Sequence, residues 1–307
     1  MGALSFLSFV AEGRSAVVPA EREAIDGALL SVCDRYIGDQ TGPVFDAIRY
    51  SLMGEGKRLR ARLLLEAYRA AGGDGDAREL AAAVEVVHAY SLVHDDLPCM
   101  DDDDMRRGRP TAHRVFGVGA AAAAGLAMVP LAARCAFNGG RSLGLAPSVC
   151  GRIVAELMCA AGAGGMIGGQ LLDLEGEGTA LSLEQLERIH HAKTGQLIRA
   201  SVRLGGIAAG ASDQQVGALD TYGESIGLAF QIADDLLDVT ATSDQIGKTA
   251  GRDRALQKST YPALLGVEGS RRRAEALVED GCEALRAAGL LTGTLERLAR
   301  YTVERRS

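Results

Sequence analysis

The sequence predicts an all-α fold, a single-domain bundle of long helices around a deep central cavity. Three observations support this prediction. Apolar residues recur at helical spacing along most of the 307 residues. The alternation typical of strands is nearly missing, and the sequence shows no hairpin turn chemistry. Helix-start signals also recur, including Pro19, Pro43 and the capping-box pair Ser182 and Gln185.

The predicted helices follow one another through short polar or glycine-rich connections. In the first half of the chain they cover approximately residues 19–37, 43–53, 57–71, 76–97, 119–138 and 147–161. A glycine-rich stretch at 162–178 should bend or break the helix there. In the second half, helices begin near residues 182, 212, 260, 270 and 293. A polar loop at 242–260 precedes the last three of them.

The stretch from His88 to Pro110 contains the densest run of acidic residues. Its six aspartates fall within ten positions and are Asp95, Asp96 and Asp101–Asp104. Two carboxylates about 5 Å apart repel by roughly 3 kcal/mol at an effective dielectric of 20. A hard cation with oxygen ligands, Mg²⁺ or Ca²⁺, relieves that repulsion. Taken alone, this stretch leaves a solvated acidic turn as an alternative.

Helical geometry brings part of this stretch to one face. His88, Ser91 and Asp95 are spaced at i, i+3 and i+7. Pro98 disfavours helix at the residue before it, so the helix should end or kink there. We therefore expect Asp101 to reach the same site from the following loop.

A second acidic cluster lies in the segment QIADDLLDV. It places Gln231, Asp234, Asp235 and Asp238 at i, i+3, i+4 and i+7, which is one helical face. The residues between them are apolar, which is unusual for a solvated acidic face. We expect this face to line a cavity, and two such aspartate-rich helices rarely occur together by chance.

Basic residues accompany both clusters. Single basic residues are mostly solvated surface charges. Here they form a set, which consists of Lys57, Arg58 and Arg60 at a helix start, Arg106, Arg107, Lys193, Lys248 and Lys258. Arginine binds phosphate oxygens bidentately and lysine supplies a point charge, so the set indicates a pyrophosphate ligand. The sequence has neither a P-loop nor a GxGxxG motif, which disfavours nucleoside triphosphatases and dinucleotide enzymes.

Composition limits the partners and the compartment. The net charge of −7 argues against nucleic-acid binding. No cysteine pair has CxxC spacing, so we expect free thiols in the cytoplasm. Residues 115–133 lack charge but are rich in alanine and glycine, which favours a buried helix over a membrane span. We expect one domain over 1–307, with 1–18 as a flexible N-terminal segment and no secretory signal.

Six motifs together resemble the trans-polyprenyl diphosphate synthases, in particular the bacterial farnesyl and geranylgeranyl diphosphate synthases. The matching segments are GKRLR, HAYSLVHDDLPCMDDDDMRRGRPTAH, GGQLLDL, HHAKTGQLIR, GLAFQIADDLLDV and LQKSTYPALLG. The resemblance extends from about Pro43 to the end of the chain. It implies an all-α homodimer with a deep apolar cavity that condenses isopentenyl diphosphate with an allylic diphosphate such as dimethylallyl or geranyl diphosphate.

The resemblance also implies a role for each charged residue of the site. Isopentenyl diphosphate would be held by Lys57, Arg60, His88 and Arg107. Mg²⁺, with Mn²⁺ as an alternative ion, would bind Asp95, Asp101 and Asp234, supported by Asp96, Asp235 and Asp238. The allylic diphosphate would be held by Arg106, Lys193, Lys248 and Lys258. Thr194 and Gln231 would lie near the developing carbocation.

Product length depends on residues deeper in the first acidic helix. Tyr90 and Ser91 precede Asp95 by about one turn, which puts Tyr90 roughly 7 Å down the helix axis. An aromatic ring there would close the cavity, and with the two-residue insertion Pro98–Cys99 it resembles a farnesyl (C15) producer. Two alternatives stay open: Tyr90 as an ordinary core residue instead of the cavity floor, and a geranylgeranyl (C20) product instead of farnesyl. Leu126 stands where the family commonly has an aspartate, which leaves packing around the alanine-rich helix in doubt.

Two other classes share part of the pattern. A class I terpene cyclase ionises the same substrates, but its second metal motif normally mixes Asn, Ser or Thr with acids, whereas this chain has DDLLD. Lys57, Arg60 and His88 also suit a second diphosphate, which a cyclase does not need. A catalytically silent partner subunit would be expected to lose aspartates, and this chain keeps both sets.

Overall fold

A computed structural model describes residues 19–240 and 258–304 of the chain. The segment 1–18 and Lys248 lie outside the described residues. Helices dominate the described part, so the all-α prediction is confirmed. The helices of the described part are α1 (Pro19–Tyr36), α2 (Pro43–Leu52), α3 (Leu59–Ala70), α4 (Arg78–Asp95), α5 (Ala112–Phe116), α6 (Val118–Ser142), α7 (Pro147–Ala161), α8 (Met166–Glu175), α9 (Leu183–His190), a π-helix (His191–Gly195), α10 (Gln196–Ala208), α11 (Asp213–Thr240), α12 (Tyr261–Ala287) and α13 (Gly293–Glu304).

Local signals fix several of these helix ends. Ser182 and Gln185 form the predicted capping box, because the Gln185 amide donates to Ser182 Oγ at 3.2 Å and the Ser182 amide donates to Gln185 Oε1 at 2.8 Å. The helix that carries the first aspartates ends at Asp95, three residues before Pro98, as predicted. Gly266 has φ 69° inside α12, which separates the two helices predicted near 260–267 and 270–288.

Two hydrophobic clusters form the core, and α3 contributes to both. Leu64 belongs to a cluster built mainly on α1, α4, α6 and α7, whereas Leu63 belongs to a cluster built on α10–α13. Helix α10 approaches α3 closely, since a Cβ at Gly205 would lie 2.3 Å from the Leu64 carbonyl oxygen. The first acidic segment lies on α4, which packs against α3, and the second lies on α11, which packs against α10 and shares a hydrophobic cluster with α3.

One sequence expectation is wrong. A two-stranded hairpin is present, with β1 (Met105–Arg106) paired antiparallel to β2 (Arg109–Pro110). Its two-residue turn has positive φ at both positions, 53° at Arg107 and 73° at Gly108. Such turns match the right-handed twist of the strands, but they normally carry Asn or Asp at the first position. Arg107 at this position replaces the usual Asn or Asp, so the sequence lacks the residue pair that predicts such a turn. The hairpin fixes the backbone at Arg106 and Arg107.

The π-helix is packed between two glycines. A Cβ added at Gly169 of α8 would lie 2.2 Å from the Lys193 amide nitrogen, and one at Gly227 of α11 would lie 2.8 Å from the Gly195 Cα. Both neighbouring atoms are backbone, so only glycine permits the approach. Single π turns occur often at functional sites, and this one carries Lys193 and Thr194.

Two helical stretches of the described residues are long and apolar enough to cross a membrane by length and composition alone. They are Val118–Ser142 and Pro147–Glu175, with mean hydropathies of 1.6 and 1.3. The core helices of many soluble proteins meet the same criterion, so a buried role for residues 115–133 stays a prediction. Helix α6 packs against α4 and α7 and contributes Met128 and Ala132 to the core.

Candidate active site

The end of α4 and the loop after it bring acidic groups together. The Asp101 amide donates to the Asp95 carbonyl oxygen at 2.8 Å, so the loop folds back onto the helix end. Burial raises the pKa of the Asp95 carboxyl to about 6, with Lys193 and Arg106 opposing this and Asp101 and Asp173 adding repulsion. A bound cation would stabilise this carboxylate directly.

Buried Asp96 forms an ion pair with half-buried Arg106 beside Asp95. Asp96 is 4% exposed, and Arg106 Nε donates to its Oδ1 at 2.6 Å. Burial raises the pKa of Asp96 to about 6 although Arg106 opposes the shift. Arg106 also lies 3.4 Å from Asp103 Oδ2. Asp96 therefore holds the Arg106 guanidinium in place, and its expected supporting part in the cation cluster stays a prediction.

His88 lies between two arginines. Its Nε2 is 3.4 Å from Arg60 Nη1 and 3.3 Å from Arg107 Nη2. Burial, followed by the charges of Arg60 and Arg107, lowers the pKa of His88 well below its usual value, so the imidazole is neutral. Arg107 is further held by the Glu55 carbonyl oxygen at 2.6 Å. Two guanidiniums beside a neutral donor-acceptor ring form a site suited to a phosphate group.

The remaining two basic residues of the helix start behave differently. Arg58 is buried and pairs with Asp26 at 2.8 Å, while it also donates to the Leu52 and Gly54 carbonyl oxygens. It is a structural residue. Lys57 Nζ lies 5.8 Å from the centre of the Tyr301 ring, so the last helix reaches this edge of the site.

Asp173 is a central residue that the sequence did not single out. Its Oδ2 accepts from Lys193 Nζ at 2.6 Å and from Lys258 Nζ at 2.8 Å. Burial alone would raise the pKa of Asp173, but the two lysines outweigh it and lower the pKa to about 2. The sequence signal that could have found Asp173 is its place in GGQLLDL, three positions after Gln170, which follows two glycines. Asp173 joins two lysines predicted to bind one diphosphate.

Replacing Asp173 with Asn should weaken use of the allylic diphosphate about tenfold, because two lysines lose the anion that orients them. The change should appear in kcat/KM for the allylic partner more than in that for isopentenyl diphosphate. Asp220→Asn is the matched control, since Asp220 also joins two cations, Arg199 and Arg203. Equal kinetic effects of the two variants would mean that Asp173 acts only on stability.

The second acidic cluster divides into two kinds of residue. Asp235 Oδ2 accepts from the Tyr261 amide at 3.0 Å and lies 3.5 Å from His190 Nε2, so it fixes the start of α12 on α11. Asp234 and Gln231 are half-buried on the same helix. Asp238 is buried, and its Oδ2 has no hydrogen-bond partner among the described residues. A buried carboxylate oxygen without a donor fits a nearby cation.

The ligand atoms of the predicted metal residues Asp95, Asp101 and Asp234 do not lie close enough together to form a complete coordination site by themselves. Within the described ranges, the one group of three ligand-type side chains whose atoms lie within 4.8 Å of one another is Asp102, Asp104 and His113. Asp95, Asp101 and Asp234 are more widely spaced than that. This suits ions that complete their coordination with substrate phosphates and water.

Tyr90 and Ser91 lie below this site in α4. Tyr90 is buried, its hydroxyl donates to the Ala161 carbonyl oxygen at 3.4 Å, and its ring meets His94 edge-on at 5.5 Å. Ser91 Oγ donates to the His88 carbonyl oxygen at 2.9 Å. Tyr90 thus closes the space between α4 and the end of α7, which is compatible with a cavity floor and with a core residue.

These elements define a class of protein. Two aspartate-rich helices, a lysine pair on one half-buried carboxylate and an arginine–histidine pocket form a site within an all-α fold whose charges suit a diphosphate and divalent cations.

Comparison with known proteins identifies the family. A profile of the polyprenyl synthetase family matches residues 43–286. The chain is 46% identical over 275 residues to the farnesyl diphosphate synthase of Escherichia coli strain K12, which covers 87% of this chain and 90% of that protein. It is 47% identical over 246 residues to a chloroplastic geranylfarnesyl diphosphate synthase of Leucosceptrum canum, covering 79% of this chain and 67% of that protein. The crystal structure of an FPP/GFPP synthase from Zymomonas mobilis superposes with a TM-score of 0.76 at 32% identity, covering 92% of this chain and 98% of that one. The chain belongs to the polyprenyl synthetase family.

Proposed function

We propose that the protein is a short-chain trans-prenyltransferase that condenses isopentenyl diphosphate with dimethylallyl and geranyl diphosphates to give farnesyl diphosphate. The observation that carries the proposal is the sharing of Asp173 by Lys193 and Lys258 beside Asp95, with the pocket of His88 and Arg107 close by. Two separate basic sites match two diphosphate substrates. A single-substrate cyclase has no use for the second.

The cation-binding set is proposed to be Asp95, Asp101 and Asp234, supported by Asp96, Asp235 and Asp238. The Asp95 carboxylate, which lies near other acids, and the Asp238 Oδ2, which has no hydrogen-bond partner among the described residues, both fit hard cations. Mg²⁺ is the usual partner of a diphosphate, and Mn²⁺ is an alternative. When bound, such ions neutralise charge on a leaving diphosphate. Asp235 contributes through its hold on α12 as well.

The basic side chains support ionisation of the allylic substrate. Before any substrate binds, Asp173 holds Lys193 and Lys258, and Asp96 holds Arg106, so these cations are already gathered at the site. The two lysines then need only a short shift from Asp173 onto phosphate oxygens when negative charge develops on the diphosphate. Lys248, outside the described residues, is proposed to join them. Arg60, Arg107, Lys57 and neutral His88 would position isopentenyl diphosphate so that its double bond attacks C1 of the allylic cation.

Proton loss then completes the condensation. The departed diphosphate is the proposed base, and Thr194 and Gln231 would lie near the cation. Water has to be excluded during this step, because it would convert the cation to an alcohol. Apolar residues below the aspartates serve that purpose.

Tyr90→Ala should shift the product towards chains longer than C15, because removal of a buried ring opens the space between α4 and α7. Tyr90→Phe keeps the ring and loses only the hydroxyl bond to Ala161, so its product should stay as in the unchanged protein. Chromatography of dephosphorylated products measures both. An unchanged product length in Tyr90→Ala would make Tyr90 a core residue only.

Assembly and compartment are further parts of the proposal. We propose a single domain that forms a homodimer, since α6 exposes apolar side chains such as Leu126, which is 69% exposed, and Phe137. The six cysteines are free thiols, which supports a cytoplasmic location.

One assay tests the proposal. The purified protein is incubated with isopentenyl and dimethylallyl diphosphates and Mg²⁺, and the prenyl alcohols are sized after phosphatase treatment. We expect farnesol as the main alcohol. Geranylgeraniol would favour the C20 alternative, and cyclic hydrocarbons or no condensation would contradict the proposal.

A further inference from the structure

We propose that Asp102, Asp104 and His113 form a second metal site, separate from the catalytic ions, that takes a divalent transition metal such as Zn²⁺. One ring nitrogen of His113 and one carboxylate oxygen of each aspartate lie within 4.8 Å of one another. The two aspartates belong to the loop after α4, and His113 belongs to the first turn of α5. This inference does not depend on the proposed reaction.

His113 supplies the observation that acidic residues alone would not. It is only 5% exposed, yet its Nε2 has no hydrogen-bond partner among the described residues. Buried polar atoms are nearly always paired, so an unpaired one requires an explanation. One ring nitrogen of His113 lies near the two carboxylates, and we assign Nε2 as the atom that binds a metal ion there.

Thr111 fixes which ring nitrogen is available. Its Oγ1 lies 3.1 Å from His113 Nδ1 and donates to the Asp104 carbonyl oxygen at 3.4 Å. With its own proton engaged there, the hydroxyl accepts the Nδ1 proton, and Nε2 is left with a free lone pair. Metal-binding histidines are commonly oriented in this way by a hydrogen bond from the other nitrogen.

The donor set selects the class of ion. One imidazole nitrogen and two carboxylate oxygens suit Zn²⁺, Co²⁺ or Mn²⁺, whereas Mg²⁺ and Ca²⁺ prefer oxygen ligands alone. Arg114 pairs with Asp104 in the present structure. Both side chains of that pair are exposed, so it is a weak competitor that an ion can displace.

The position of the site indicates what an ion would do. Asp104 and His113 lie on either side of the hairpin that carries Arg106 and Arg107. An ion shared by the two would close the loop around the hairpin and restrict its motion. We expect Zn²⁺ at low concentration to raise the melting temperature.

Metal titration of the full chain, without diphosphates and after chelator treatment, tests the site. Co²⁺ serves as the probe because its visible absorption changes when it leaves the hexaaqua ion for a protein site of lower coordination number, and Zn²⁺ is used in calorimetry. We expect one tight site in the unchanged protein. His113→Gln should weaken it by more than about tenfold, and Thr111→Val by about tenfold.

Matched variants make the outcome decisive. His191→Gln controls for loss of any histidine, and Asp234→Asn controls for the proposed catalytic ions. Arg114→Gln should tighten binding several-fold by removing the competitor, whereas Arg109→Gln, whose guanidinium stacks on Tyr50, should not. Unchanged Co²⁺ affinity in His113→Gln and Arg114→Gln, or loss of the tight site in Asp234→Asn, would overturn the proposal.

Discussion

Asp95→Asn should lower kcat by about 10²- to 10³-fold or more, because it removes a proposed cation ligand at the place where charge develops on the leaving diphosphate. We expect the variant to fold.

The same substitution should change how stability depends on pH. Burial raises the pKa of Asp95 to about 6, so the folded protein binds this proton more tightly than the unfolded chain does. Stability contributed by the protonated group is therefore lost as the pH rises through about 4 to 6. Asn at position 95 does not titrate, so the melting temperature of the variant relative to that of the unchanged protein should rise as the pH rises across that window.

Two measurements check this prediction. Steady-state kinetics at saturating Mg²⁺ give kcat, and melting curves between pH 4 and 8 give the stability difference. Asp74→Asn is the control, since Asp74 is exposed and distant in sequence from both acidic clusters. Turnover near that of the unchanged protein in Asp95→Asn would remove Asp95 from the cation set.

Lys193→Ala should reduce kcat/KM for the allylic diphosphate by roughly 10²-fold, because a positioned charge next to the diphosphate is lost. The π-helix holds the Lys193 backbone against Gly169, so no neighbouring residue can replace it by a small shift. Removal of Lys193 also leaves Asp173 with Lys258 as its lysine partner. The effect on the pKa of Asp173 should be an increase from about 2.

Arg188→Ala is the matched control for Lys193. Arg188 is exposed on α9, about one turn before the π-helix. Its replacement by Ala removes one positive charge, as Lys193→Ala does. Kinetic constants for both substrates should be close to those of the unchanged protein. If Arg188→Ala and Lys193→Ala were equally impaired, net charge and not position would explain the loss.

Short-range patterns in the sequence predicted much of this structure. Capping boxes at Ser182 and Ser212, prolines at helix starts and Pro98 after α4 act within one turn, so local chemistry determines them. Asp95 and Asp96 were recognisable because an acidic pair at the end of an apolar helix is unusual. The ion pair of Asp96 with Arg106 joins residues ten positions apart across the loop after α4, and no local pattern predicts it.

Features that depend on tertiary contacts were not predictable in the same way. Asp173 is significant because Lys193 and Lys258 meet on it from 20 and 85 residues away. The π turn arises where α8 and α11 press glycines against the backbone, which no periodicity in HHAKTG reveals. Asp235 looks like a cation ligand in DDLLD, yet the start of α12 occupies one of its oxygens.

A crystal structure with Mn²⁺ and a non-ionisable thio analogue of dimethylallyl diphosphate tests the central claim most directly. Anomalous scattering locates each ion. We expect manganese peaks between the diphosphate and the carboxylates of Asp95, Asp101 and Asp234, with Lys193 and Lys258 released from Asp173 onto phosphate oxygens. Diphosphate bound with no ion against either aspartate helix, and both lysines still on Asp173, would contradict it.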